Sequence, residues 1–176
     1  LLPEGSAQAT VCLFGITEQQ LNRRAAELLC ADEPKVTLCY QNGDALLHIS
    51  SCADDAAAAC ERVTEQLQEQ FSGHLYSTDG STLPEQAAAL LQQKQMTLAT
   101  AQSTAEASLC AGTAQVAGWS EVCPAMSCGA DALQTVPGQT KEKYPAVSPQ
   151  MAAAMAVGVR QKEKTGLGIA VTEVQM

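Results

Sequence analysis

Cysteine and histidine are the residue types considered first, because they bind metals, form disulfides and transfer protons. The 176-residue chain has two histidines, His48 and His74, and eight cysteines, at positions 12, 30, 39, 52, 60, 110, 123 and 128. No two cysteines form a Cys-x-x-Cys motif, and a zinc site would have to collect scattered thiols, so no metal site is predicted. Several cysteines occupy apolar positions. The sequence therefore favours reduced core thiols in a cytoplasmic protein, with a Cys123–Cys128 disulfide as the alternative.

Charge and composition exclude several classes of protein. The chain has 19 acidic and 10 basic residues, a formal net charge of −9, which argues against nucleic-acid binding. No apolar run approaches the roughly 18 residues of a membrane span, and no signal peptide is visible. Because the chain opens on Leu1-Leu2-Pro3 without an initiator Met, we expect it to be a piece of a longer protein.

The first half of the chain predicts a β-α-β-β-α-β order, a split βαβ sandwich of the α+β type. Strands are predicted at Val11–Ile16, Lys35–Gln41, Ala45–Ser50 and His74–Ser77, and Asn42-Gly43 predicts a hairpin. The first helix begins at a capping box, Thr17-Glu18-Gln19-Gln20, and includes Leu28 and Leu29; Cys30 is placed on a helical apolar face. A second helix begins at Asp54 and Asp55, with a buried stripe at Cys60, Val63, Leu67 and Phe71.

The second half alternates helices and strands, which predicts an α/β unit. After a linker at Thr78–Ser81, helices are predicted from the Thr82–Glu85 capping box to Gln95, over Thr104–Ala117, and from Ser148-Pro149 to Gly166. Strands are predicted at Thr97–Ala101 and Gly168–Thr172, and an exposed loop at Pro137–Pro145. Residues 1–82 carry 12 acidic and 4 basic residues, a net of −8, so the acidity belongs to the first half.

Several segments together resemble the CinA family. Met96–Ser103 (MTLATAQS) resembles the family motif LATAESCTGG, while Ala146–Ser148 and Gly166–Thr172 (GLGIAVT) resemble its AVS and GIAVTG segments in the same order. Phe14–Glu18 (FGITE) resembles the start of the family's KH-like region. The chain has no Gly-x-x-Gly loop of the kind that binds RNA in KH domains, so no nucleic-acid partner is expected.

The resemblance implies two domains and a reaction. Residues 1–80 would be KH-like, and residues 81–176 a three-layer α/β/α CinA C-terminal domain that stops short of the family's usual length. Full-length CinA proteins also carry an N-terminal molybdopterin-binding-like pyrophosphatase domain. Their C-terminal domain hydrolyses the amide of nicotinamide mononucleotide in pyridine nucleotide salvage, without a cofactor. The family's catalytic serine falls at Ser103, and Thr172 is carried over as a substrate-binding residue.

The sequence departs from the family pattern at the positions that carry the chemistry. Glu106 and Ala107 replace a glycine pair, and Ala125 and Ala130 stand where the family has a tyrosine and a lysine. No Tyr or Lys occurs between Trp119 and Gly138. A serine becomes a nucleophile beside a base such as a desolvated lysine. These replacements predict an inactive deamidase site.

Ser103 also has a purely structural interpretation, which is preferred. Ser103-Thr104-Ala105-Glu106 is itself a capping box, in which the serine oxygen accepts from helix N–H groups. The carboxylate of Glu106 would occupy the anion pocket and repel a substrate phosphate.

Three functions follow from these patterns. The first is a degenerate CinA-like protein that keeps the two-domain scaffold and has lost deamidation. Its retained role would be binding, with a nicotinamide nucleotide as the possible ligand, or assembly. The second is an active amidase with Ser103 as nucleophile and a base, His48 or His74, from the other domain. The third is a non-enzymatic interaction module of a larger protein. The strand at Gly168–Thr172 is expected at a sheet edge, where it would pair with a second copy in a homodimer.

Overall fold

The computed structural model describes residues 5–41, 43–103 and 108–172, and the chain divides into units of residues 1–86 and 87–176. The first unit contains β1 (Ala7–Phe14), α1 (Glu18–Arg24), α2 (Ala26–Leu29), β2 (Lys35–Gln41), β3 (Asp44–Ser51), α3 (Ala56–Gln70) and β4 (Leu75–Ser77). Helix α4 (Leu83–Gln93) leads into the second unit, which contains β5 (Leu98–Gln102), α5 (Ser108–Thr113), α6 (Trp119–Val122), β6 (Ala125–Cys128), α7 (Ala130–Gln134), α8 (Gly138–Lys143), α9 (Pro149–Glu163) and β7 (Leu167–Val171). The domain boundary between residues 80 and 81 stays a prediction.

The first sheet is antiparallel, with strand order β2-β3-β1-β4. Strand β3 lies between β1 and β2, and β1 lies between β3 and β4, so each β-α-β crossover is split by one antiparallel strand. The split βαβ arrangement expected for this half is therefore present, with two short helices where one was predicted. Asn42 of the predicted hairpin lies outside the described residues, and Gly43 has φ +90°.

The core of the first unit lies between this sheet and its helices. Cys60, Val63, Leu67 and Phe71 of α3 and its C-terminus are all buried, as their spacing predicts, and they pack with Leu47 of β3. Burial of one large apolar side chain stabilises the fold by about 1.5–3 kcal/mol relative to exposure. The stripe therefore fixes α3 against the sheet.

The predicted first helix begins correctly but is interrupted. The Thr17 side chain accepts from the Gln20 backbone N–H at 3.3 Å, and the Thr17 N–H donates to Gln20 Oε1 at 3.2 Å, which confirms the capping box. The helix breaks at Ala25, which has φ −99° and ψ 15°, and Leu28 and Leu29 lie in the separate α2. Cys30 follows α2 and is exposed, so its placement in the core was wrong.

The second sheet is parallel, with order β6-β5-β7 in the described chain. All five residues of β5 are buried, because helices cover both faces of this central strand. Ala99 and Ala101 pack with α7 and α9, and Leu98 packs with α4 and α6. Since successive strand residues point to opposite faces, these contacts make three layers, helix, sheet and helix. The fold is α/β, as predicted.

Three predictions for the second half are wrong in detail. The helix expected over Thr104–Ala117 ends at Thr113, the last residue of α5, while residues 104–107 are not described. The loop expected at Pro137–Pro145 contains α8, which has no buried residue and so lacks the apolar periodicity that reveals a helix in sequence. Helix α9 begins at Ser148 as predicted, with the serine oxygen accepting from the Met151 N–H at 3.2 Å. It ends at Lys164, whose φ of 54° is left-handed, and not at Gly166.

No helix among the described residues is long and apolar enough to cross a membrane.

Candidate functional site

The carboxyl ends of the three parallel strands form one edge of the second sheet. Ser103 follows β5 and Thr172 follows β7. The Ser103 backbone N–H donates to the Val171 carbonyl oxygen at 3.0 Å, so the chain segments that carry Ser103 and Thr172 leave the sheet side by side. Both residues are partly buried. In open α/β sheets, ligands bind outside the carboxyl ends of the strands, which makes this edge the candidate site.

Gln102 holds the ends of β5, β6 and α5 together. Its side chain is 2% exposed, and its Oε1 accepts from the Leu109 N–H at 3.1 Å. Its backbone oxygen accepts from the Gly129 N–H at 2.8 Å. Sequence reasoning missed this residue. A glutamine that ends an otherwise apolar strand (LATAQ) is the signal that could have found it, because a buried amide must find partners.

Helix α5 begins with an N–H group that is already engaged. Leu109 is the second residue of α5, where the first-turn N–H groups lack partners within the helix. The Gln102 side chain supplies the acceptor for this N–H. The predicted capping box of Ser103 with Glu106 lies outside the described residues, since residues 104–107 are not described.

The two alanines predicted to stand at the positions of the family's tyrosine and lysine lie at different places, on β6 and α7. Ala125 begins β6 and pairs with Ala99, away from the carboxyl edge. Ala130 begins α7 directly after Gly129, at the carboxyl edge beside Gln102. The methyl groups of Ala125 and Ala130 cannot transfer a proton. At the carboxyl end of β6, the residue that pairs with Gln102 is Cys128.

Six cysteines of the described chain, Cys12, Cys30, Cys39, Cys52, Cys60 and Cys123, are free thiols. Cys12, Cys60 and Cys123 are buried, Cys128 is partly buried, and Cys30, Cys39 and Cys52 are exposed. The Cys123–Cys128 disulfide is therefore absent. Burial raises the pKa of the Cys123 thiol, and its Sγ donates to the Ala125 carbonyl oxygen at 3.7 Å, so Cys123 is a protonated core residue at neutral pH. Among the described residues no three His, Cys, Asp or Glu side chains cluster as metal ligands.

Both histidines lie in the first unit. His48 is on β3, with its Nδ1 3.2 Å from Thr10 Oγ1. His74 precedes β4, with its Nδ1 3.1 Å from the Phe14 carbonyl oxygen. Neither lies in the unit that contains Ser103.

Comparison with known proteins matches residues 80–174 to the model of the CinA C-terminal domain. A CinA-like protein of Parasynechococcus marenigrum is 33% identical over 168 residues, which cover 91% of this chain and 40% of that protein. A CinA-like protein of Dictyoglomus thermophilum is 28% identical, with 91% of this chain and 41% of that protein covered. A putative competence-damage inducible protein of Moorella thermoacetica is 28% identical over 92% of this chain and 41% of its own length. The chain thus spans about two fifths of the length of these relatives.

Proposed function

The chain belongs to the CinA family, and we propose that its second unit keeps the fold of a nicotinamide-nucleotide amidase without the groups that deamidation requires. In this proposal the carboxyl ends of β5, β6 and β7 bind a nicotinamide nucleotide, and no amide is hydrolysed there. One observation carries this proposal. The chain keeps the segment that contains Ser103, but it has alanine, Ala125 and Ala130, at the two positions assigned to the tyrosine and the lysine that transfer protons.

The missing base is the first support. A serine hydroxyl attacks an amide carbon only when a neighbouring group takes its proton. Ala130 occupies the carboxyl edge beside Gln102, where the family alignment puts a lysine, and its methyl group cannot accept a proton. Cys128 lies closer to this edge than Ala125, but it does not restore the assigned tyrosine–lysine pair.

The hydrogen bond of Gln102 is the second support. Phosphates bind at helix N-termini through free backbone N–H groups. Here the Leu109 N–H of α5 donates to Gln102 Oε1 at 3.1 Å. A substrate phosphate would have to displace this acceptor, whereas the family pattern places glycines in the preceding segment. Binding of the nucleotide should therefore be weaker than in an active family member.

A paired assay tests this proposal. The chain is incubated with nicotinamide mononucleotide while ammonia release is measured, and its thermal stability is recorded with and without the nucleotide. We expect no turnover but a rise in the unfolding temperature, since a ligand that binds only the folded state stabilises it. Turnover of about 1 per second or faster, as is usual for enzymes, would show that the site is active.

If turnover is found, one variant pair identifies its source. Loss of activity in Ser103→Ala with retention in Ser127→Ala would assign the nucleophile to Ser103. Retention in both variants would place the chemistry elsewhere. His48→Ala and His74→Ala then test the second hypothesis, an amidase whose base comes from the other unit.

A non-enzymatic interaction module is the alternative. One feature favours it: Leu167 and Ile169 of β7 are 40% and 47% exposed. An exposed edge strand pairs readily with another chain, so the homodimer remains a proposal. A stability that does not change with nicotinamide mononucleotide, together with self-association, would favour the module.

We also propose that the protein is cytoplasmic and has no nucleic-acid partner. The free thiols of Cys12, Cys30, Cys39, Cys52, Cys60 and Cys123 fit a reducing compartment, and a net charge of −9 disfavours binding to nucleic-acid phosphates. Cell fractionation and a mobility-shift assay with RNA test these two statements.

A further inference from the structure

Strand β1 has an edge that β4 leaves largely uncovered. β4 pairs with β1 only at Cys12 and Leu13, and one bridge joins Thr10 to Asp79. On its other side β1 pairs with β3 along its whole length. Within the described part of the chain, no strand pairs with Ala7–Ala9 on the β4 side. A strand edge of this kind is a template for another extended chain.

A groove of about 460 Å³ runs along this edge between β1 and α3. Ala7–Ala9 line it on the strand side, and Ala57, Glu61 and Glu65 are among the residues that line it on the helix side. The alanines leave room for a backbone to approach β1. Glu61 and Glu65, one helical turn apart, are the charged residues of the lining, so the groove is negatively charged.

The backbone direction of β1 also fits a ligand strand. The Phe14 N–H points to the β4 side, where it donates to the His74 carbonyl oxygen at 2.8 Å. Backbone groups of alternate strand residues point the same way, so Gln8 directs its N–H and carbonyl oxygen to this side as well. An incoming strand would bond to Gln8 and continue the line of β4.

We propose that this groove, the β1–α3 groove, binds an extended peptide segment of a partner protein that carries lysine or arginine at alternate positions. The peptide adds as a strand beside Ala7–Ala9, and alternate side chains reach Glu61 and Glu65 on α3. The charge of the first unit favours this occupant, because residues 1–86 carry 13 acidic against 4 basic residues. A second copy of this chain in the same groove would bring like charges together.

Fluorescence anisotropy with the whole chain and three labelled pentapeptides tests the backbone part of the proposal. The first alternates lysine and valine, the second alternates glutamate and valine, and the third is the lysine peptide with alternate backbone nitrogens methylated. The lysine peptide should bind more tightly than the other two. Methylation, which keeps the charge but removes two hydrogen-bond donors, should weaken binding about tenfold.

Matched variants on one helix test the charge part. Glu61→Gln and Glu65→Gln should each weaken binding of the lysine peptide about threefold. Glu69→Gln removes the same charge from α3, but Glu69 lines a different groove, so affinity should not change. The Gln8 amide should become protected from hydrogen exchange when the peptide is bound. Equal binding of all three peptides, an equal effect of Glu69→Gln, or an unprotected Gln8 amide would overturn the proposal.

Discussion

Gly168 of β7 lies against Ala156 of α9 at a distance that only a glycine permits. A Cβ atom built on Gly168 would be 2.2 Å from the Ala156 carbonyl oxygen and 2.8 Å from Arg160 Cβ. The strand and the helix therefore approach backbone to backbone. This contact positions β7, and with it Val171 and Thr172, against β5 at the candidate site.

Gly168→Ala should destabilise the second unit by about 3 kcal/mol, because the added methyl group forces a rigid backbone contact apart. Urea unfolding monitored by circular dichroism measures the change. Gly166→Ala is the matched control, since its added Cβ would be 3.5 Å from the Thr97 carbonyl oxygen, an ordinary contact. If both variants unfold at the same urea concentration, the contact at Ala156 does not position the strand.

Gln102→Leu should lower the free energy of unfolding of the second unit by about 1–2 kcal/mol. The substitution keeps the volume but leaves the Leu109 N–H without its side-chain acceptor. Gln102→Glu keeps an oxygen that can accept from the Leu109 N–H, although burial of its carboxyl group lowers the overall stability. Faster hydrogen exchange of the Leu109 amide in Gln102→Leu than in Gln102→Glu is the specific readout. Equal exchange in the two variants would mean that another group satisfies this N–H.

Features that depend on neighbouring residues could be predicted from the sequence. The capping box at Thr17, the N-cap at Ser148 and the stripe of α3 depend on spacings of three and four residues, which the sequence displays directly. The break at Ala25 could not be predicted, because alanine favours a continuous helix and the tertiary packing overrides it. Strand β6 was missed because four residues (AMSC) are too short to show a period.

The candidate site could be predicted only in part, because it depends on contacts between residues that are far apart in the sequence. Ser103 and Thr172 were identified by resemblance to family motifs, but their adjacency depends on β5 and β7 being neighbours in a parallel sheet. That pairing joins residues about 70 positions apart and leaves no local pattern. The role of Gln102 likewise depends on Leu109 and Gly129, which lie on two other elements.

Asp79 should titrate at an unusually low pH. The Ser81 hydroxyl and backbone N–H, with the Ser77 hydroxyl, donate to its carboxylate and lower its pKa from 3.8 to about 2. Because the folded pKa is below the unfolded value, the stabilisation is present above about pH 4 and is lost as pH falls through about 2. A carbon-13 NMR titration of the carboxyl group measures this. Ser81→Ala, which removes the hydroxyl but keeps the backbone N–H, should move the pKa back toward 3.8, and an unchanged pKa would rule out the Ser81 hydroxyl as a cause.

The exposed face of β7 gives a test of self-association. Leu167 and Ile169 lie on the side of this strand opposite Gly168, and β7 is an edge strand of the described sheet. If a second copy pairs there, light scattering of the parent chain gives the mass of a dimer and Ile169→Lys gives a monomer, since a charge cannot be buried unpaired in the interface. Val157→Lys is the control, because Val157 is 52% exposed on α9 and not on β7. A monomeric parent chain, or a dimer that survives Ile169→Lys, would show that β7 does not form the interface.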